Sequence, residues 1–329
     1  MKKVFGLIVV LALVASAVFA GGQRDERTYP SRPVTSIVPF APGGGSDTLV
    51  RAVMRNLQLP NNQPMVAVNV DGAGGFIGAM RTFNSPADGY TIMTHNTTDV
   101  ISYYLTGQSP TPIWSELTSI ALLVTDYSVI STNRVAAAEL GWRSIDDVVA
   151  WARANPDQRI RLGTSGVSLG DNMFNSVNVA RTLGIEDNIN FILYDSGAAV
   201  RTAGLQNEIH LSVNTVSEIT GVVASGDNIP LLVINNSRIA ALPDVPSALE
   251  KGIINNLTKP RGFFGPPGMS PEHVRVLEDA LRAVTENPEF RATMSQLGFD
   301  VQFVDGATAS RMAREWYAIL RVFADEAAN

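Results

Sequence analysis

Residues 34–47 read Val-Thr-Ser-Ile-Val-Pro-Phe-Ala-Pro-Gly-Gly-Gly-Ser-Asp, and residues 65–78 read Met-Val-Ala-Val-Asn-Val-Asp-Gly-Ala-Gly-Gly-Phe-Ile-Gly. Each opens as a run of strand length, breaks in glycines and gives way to helical spacing. After the first break, Leu49, Val50, Val53, Met54 and Leu57 fall on one helix face, with Ser46 as the expected N-cap. After the second, a short helix is expected over 76–83. Pro86-Ala87-Asp88-Gly89 then makes a turn into a third strand over 90–95. Successive βα units of this kind argue for parallel pairing.

The grammar repeats downstream. Ser144-Ile145-Asp146-Asp147 is a helix start, with the helix expected over 145–154. Strands are expected over 160–163, 190–194, 210–214 and 230–234, with helices between them. A further short strand is expected over 262–265. Ser270-Pro271 opens a helix, a late strand spans 301–304, and the last helix spans 308–325. That helix carries Met312, Trp316, Ile319, Leu320 and Phe323 on its apolar face. The fold class is α/β with largely parallel sheets.

The chain has 329 residues, enough for about two domains. It has no cysteine, which excludes disulfides, thiolate metal sites and a cysteine nucleophile. With 25 basic and 31 acidic residues it lacks the clustered positive charge that nucleic acid demands. Lys2 and Lys3 precede an uncharged apolar run over 4–20 that ends in small residues. This reads as a signal peptide cleaved after Ala20, against the alternative of an uncleaved anchor. Residues 21–31 form a polar, flexible leader. No later stretch is apolar enough to span a bilayer, so the mature chain is expected to be a soluble periplasmic protein.

Glycines let backbone approach a ligand closely, and a helix start offers free N–H groups with a favourable dipole for an anion. Two such loops on adjacent strands suit one small anion gripped from two sides; the alternative is that they only make tight turns. No cofactor is expected. The first loop lacks a Walker lysine, and the second is spaced Gly-x-Gly-x-x-x-Gly rather than as a dinucleotide fingerprint. His95, His210 and His273 have no metal-ligand spacing, and no nucleophile elbow occurs, so neither a metal nor a catalytic residue is assigned. His210, in an apolar strand, reads as a core or interface histidine.

These residues resemble the substrate-binding proteins of tripartite tricarboxylate transporters, the TctC or Bug family. Arg32 to Asp47 resembles that family's opening strand and glycine loop, and Gly72 to Gly78 its second loop. Pro86 to Thr91 is similar to its Pro-x-Asp-Gly-Tyr-Thr turn. Gly262 to Gly268, followed by Ser270-Pro271, is similar to its C-terminal signature. The resemblance implies a two-lobed, type II-like periplasmic clamshell. Lobe 1 would span 28–125 plus 236–329 and lobe 2 would span 126–235, with crossings near 124–128 and 234–236. It also implies a carboxylate ligand and delivery to a membrane permease of one large and one small subunit. A monomer without catalysis or nucleic-acid binding is expected.

Under this reading Phe40, Gly44, Gly45, Ser46, Gly74, Gly75 and Phe76 hold the first carboxylate, and Thr97 and Thr98 add hydroxyls. Asp47 orders the loop. From lobe 2 the candidates are Ser165, Ser168, Tyr194, Asp195 and Asn214, with Asp195 suited to an ammonium if the ligand is an amino acid. Lobe 2 departs most from the family pattern: His210 stands where an aspartate is usual. A sensor that docks on a membrane signalling receptor would share this fold, and a periplasmic hydrolase is a third alternative.

Overall fold

The structure is a computed structural model that describes residues 29–254 and 257–327. The expected signal peptide and most of the leader lie outside the described residues. Eleven strands occur among those described: β1 (Val34–Val38), β2 (Met65–Asn69), β3 (Thr91–Asn96), β4 (Thr118–Asp126), β5 (Ser128–Asn133), β6 (Ile160–Ser165), β7 (Ile189–Tyr194), β8 (Leu211–Thr215), β9 (Asn228–Ile234), β10 (Lys259–Gly265) and β11 (Asp300–Asp305). They form two sheets, ordered β11-β4-β10-β3-β1-β2 and β7-β6-β8-β5-β9.

Both sheets are mixed. The βα units of each lobe pair in parallel, β1 with β2 and β3, β6 with β7 and β8. The strands that carry the chain between lobes, or back from them, pair antiparallel, as β10 does with β3 and β4 and β5 does with β8 and β9.

The apolar runs are continuous because helices cover both faces of each sheet. In the first sheet, Ile92, Leu123 and Phe263 face one core with Leu49, Leu277 and Phe290. Their neighbours Met93, Leu122 and Phe264 face the opposite core with Ile101, Tyr103 and Trp316. Gly262 is required at the centre of this sheet, because a Cβ there would collide with the Ala121 carbonyl. In the second sheet, Ile130 and Leu232 pack with Trp142 and Val148, while Val129 and Val233 pack with Val216 and Ile219 on the other face.

Tyr127 alone separates β4 in the first sheet from β5 in the second. The return is later than the interval expected at 234–236. Val245, Ala248 and Ile253 still pack in the second lobe's cores, and Val233 bridges Ser247. The apolar side chains of 245–253 hold that segment to lobe 2, and the chain rejoins the first sheet at Lys259. The last helix, Gly306–Ala327, packs Trp316 and Leu320 on lobe 1, while Phe323 meets the ring of Phe174 from lobe 2 edge-on at 5.1 Å.

Candidate functional site

The first glycine loop starts helix Gly45–Asn56 with Gly44 at its N-cap. Asp47 in the first turn orders the loop. It accepts from the Gly43 N–H at 3.0 Å and from Asn69 Nδ2 at 3.0 Å, and it pairs with Arg51. Burial alone would raise its pKa, but Arg51, the Gly43 N–H and Asn69 hold it below the usual range. Ser46, expected as the cap, instead accepts a hydrogen bond from Arg261 Nη1 at 3.0 Å.

The second loop turns through Gly74 and Gly75 at φ +64° and +96°, in the left-handed region that favours glycine. A side-chain relay from β3 fixes it. His95 Nδ1 accepts the Asn96 N–H at 2.8 Å, so Nε2 carries the proton and donates to Tyr103 Oη at 2.8 Å. Tyr103 then donates to the Gly74 carbonyl at 3.0 Å. Burial, reinforced by Arg261 and Lys259, pushes the His95 pKa down to about 3, so the ring is neutral at physiological pH.

The lobes meet directly here. A Cβ on Gly74 would stand 2.6 Å from the Gly166 carbonyl oxygen of lobe 2, and Ser102 Oγ donates to the Leu169 carbonyl at 2.8 Å. Between the lobes lies a small cavity lined by Phe40, Gly44, Gly45, Asn96, Asp99, Ser165, Gly166, Ser196, Gly197, Glu218, Lys259 and Arg261. Its volume is about 20 Å³, room for roughly one water, so the cleft is closed.

Two cations from β10 reach this cleft, and both are buried. Lys259 Nζ pairs with Asp171 of lobe 2 at 3.2 Å, and Arg261 Nε pairs with Asp126 at 3.2 Å. Ser217 of lobe 2 donates to the same Asp126 oxygen at 2.7 Å. Burial pushes Asp126 up in pKa, opposed chiefly by Arg261. Glu218 spans the gap. Its Oε2 accepts from the Thr215 N–H at 3.1 Å and Asn214 Nδ2 at 3.2 Å, and its Oε1 accepts from the Gly45 N–H at 3.4 Å. A carboxylate of the chain itself therefore sits on the loop expected to hold a ligand's carboxylate. Burial works against its charge, yet Arg261 and Lys259 hold its pKa low.

Of the residues singled out by sequence, Phe40, Gly44, Gly45 and Ser165 line the cavity. Ser46, Gly74, Gly75, Thr97, Thr98 and Asn214 are buried but do not line it, and Phe76 lies edge-on to Tyr103. Thr98 Oγ1 donates to Asn96 Oδ1 within the helix cap, and Asn214 Nδ2 donates to the Gly197 carbonyl. Ser168 and Asp195 are exposed and Tyr194 is half-buried at the end of edge strand β7, so the structure brings none of the three to the cavity.

Sequence reasoning missed Asn96, Asp99, Ser196, Glu218, Lys259 and Arg261. A signal for the cations existed. Lys259 and Arg261 alternate just ahead of the apolar residues assigned to a short strand over 262–265, and that strand in fact begins at Lys259. Lys251 and Lys259 are also the only lysines beyond residue 3. Among the described residues, no group of three or more histidine, aspartate and glutamate side chains is placed to hold a metal ion, and no helix is long and apolar enough to cross a membrane.

A family model described as the tripartite tricarboxylate transporter family receptor matches residues 49–321. The chain belongs to this family. BugT of Bordetella pertussis is 26% identical over 277 residues, covering 83% of this chain and 81% of that protein. Among solved structures, the periplasmic binding protein BugD superposes with a TM-score of 0.81 at 23% identity, covering 91% of this chain and 99% of that one. Rpa4515 of R. palustris with adipate also gives 0.81 at 23% identity, covering 92% and 99%. The fold is thus that of the periplasmic binding proteins. The family is one of solute-binding receptors, and this chain is a receptor rather than an enzyme.

Proposed function

We propose that this receptor works in the periplasm, closes its two lobes on an organic carboxylate and delivers it to the permease subunits of a tripartite membrane transporter. One observation carries the reading. The first glycine loop of lobe 1 and the Ser165-Gly166 and Ser196-Gly197 turns of lobe 2 converge on one inter-lobe cavity backed by the buried cations Lys259 and Arg261, and the second glycine loop packs beside it against Gly166. Adipate in the related Rpa4515 structure supports the carboxylate class. The cavity is far too small for such a solute, so entry requires the lobes to part, the hinge motion usual for two-lobed receptors.

The test uses protein recovered from the periplasmic fraction. Calorimetric titration against a panel of mono-, di- and tricarboxylates and amino acids identifies the solute. Small-angle scattering then compares the apparent size with and without it, and deletion of the gene is expected to abolish uptake of the same solute. No binding across the panel, or uptake untouched by deletion, would overturn the proposal.

A further inference from the structure

The cleft contains three buried carboxylates, a fourth that is half-buried, Glu218, and two buried cations. Asp99, Asp126, Asp171 and Glu218 face Lys259 and Arg261, and each cation already has a carboxylate partner. Asp99 is left over. It is 2% exposed and lines the cavity. Its Oδ2 accepts from Asn96 Nδ2 at 2.8 Å, but its Oδ1 accepts no hydrogen bond from any described residue. Asp171, at the start of the lobe 2 helix Asp171–Thr182, likewise has a bare Oδ1.

Two glycines of lobe 2 lie directly against Asp99, so that only the closed state brings backbone this near its bare oxygen. A Cβ on Gly170 would stand 2.5 Å from Asp99 Oδ1, and one on Gly166 would stand 3.3 Å away. Gly170 precedes Asp171 in the chain, so closure brings the two acids together across the lobes. Bringing a further carboxylate here, with no new cation, would add like charge to a site of low dielectric. A bare buried carboxylate oxygen calls for a donor, and an ammonium supplies three.

We infer that the cleft takes a solute with an ammonium group, received by Asp99 Oδ1 beside Asp171, while the glycine loops hold the carboxylate of the same molecule. This rests on the receptor reading above and narrows it. The solute is a zwitterion, with at least as much positive as negative charge, rather than a simple dicarboxylate. Burial, followed by the charge of Asp171, pushes the Asp99 pKa up to about 7; Lys259, Asn96 and Arg261 oppose this. A bound ammonium would relieve the same repulsion.

The experiment titrates the periplasmic protein with matched compounds: glutarate, 5-aminovalerate and pentane-1,5-diamine, with their shorter and longer homologues. The expected result is that an amino acid of the series binds at least about tenfold tighter than the dicarboxylate of equal length. Asp99→Asn, which keeps the shape and the Asn96 contact, should erase that preference. Dicarboxylates binding as well as amino acids would overturn the inference and leave the carboxylate reading standing. Diamines binding as tightly as the amino acids would keep the ammonium subsite and overturn the carboxylate reading. Binding of none of the compounds would overturn both. The wild-type series decides the matter even if Asp99→Asn fails to fold.

Discussion

In lobe 1, β3 runs into Asn96, whose side chain caps helix Thr97–Leu105 and accepts from the Asp99 N–H. In lobe 2, β8 runs into Thr215, which caps helix Val216–Ala224 in a capping box with Glu218. The two units occupy matching places, since β3 and β8 both lie next to the first strand of their lobe's βα series. Each delivers an acid from the third helical position into the same cleft, Asp99 buried and Glu218 half-buried. Their charge states diverge. Glu218 is held ionised by Arg261, Lys259, a backbone N–H and Asn214. Asp99 is pushed up by burial and by Asp171. A local motif therefore fixes where an acid sits, while its protonation is decided by side chains from the opposite lobe and from β10.

The largest expected effect comes from removing the charge that both acids share. Arg261→Met leaves Asp126 buried without its cation and should cost about 3–5 kcal/mol of stability, read from urea denaturation. A loss under about 1 kcal/mol would mean that Asp126 is neutral in the fold and that Arg261 does not organise the cleft. Next comes Gly45→Val, whose Cβ would stand 2.6 Å from Arg261 Nη2. It should displace the guanidinium from Ser46 and weaken solute binding by about 1.5–3 kcal/mol in calorimetry, with the far-ultraviolet circular dichroism unchanged. Unaltered affinity would move the solute away from the first loop.

The paired acids should give opposite pH profiles. A raised aspartate binds its proton more tightly folded than unfolded. Wild-type stability should therefore fall relative to Asp99→Asn as pH rises from about 4 to about 7, by up to about 1.4 kcal/mol per pH unit. Above that window the variant should stay more stable. Glu218→Gln should do the reverse: its pKa is lowered by folding, so the wild type should lead at neutral pH and lose its lead as pH falls below the ordinary glutamate range. Parallel profiles for the two variants would dissolve the contrast. The smallest effect is Thr215→Ala, a lost cap worth about 1 kcal/mol in thermal unfolding at any pH near neutral.

The same division between local and distant causes explains what the sequence disclosed. The glycine loops could be read because glycine runs, helical spacing and the acid of the first turn all lie within a dozen neighbouring positions. Strands β4 and β5 were harder. Ile120 to Val124 is an unbroken apolar run buried on both faces, with no alternation to mark it as a strand. The cleft's electrostatics were hidden for another reason. Lys259 and Arg261 are far along the chain from the loops they serve, and only the placement of β10 between β3 and β4 brings them to the cleft. Ser168, Tyr194 and Asp195 follow strands just as the lobe 1 candidates do. Ser168 lies in an exposed part of its loop, and Tyr194 and Asp195 stop just short of Ser196-Gly197, so the turns reach the cavity through Ser165-Gly166 and Ser196-Gly197 and not through these three side chains.

Tyr127 gives the two connectors between lobes unequal mechanical character. One is a single residue held at both ends by sheet hydrogen bonding, with its hydroxyl donating to Asp300 at 3.2 Å. The other leaves β9 after Ile234 and is docked on lobe 2 by Val245, Ala248 and Ile253 before β10 begins at Lys259. A rotation of one lobe against the other would then twist the β4–β5 ribbon at Tyr127, while residues 245–253 of the longer connector, packed in lobe 2's cores, would travel with that lobe. Lengthening the short connector by a glycine would turn a torsion bar into a swivel: the register of closure would then rest on the contacts across the cleft alone, such as Ser102 with Leu169 and Lys259 with Asp171.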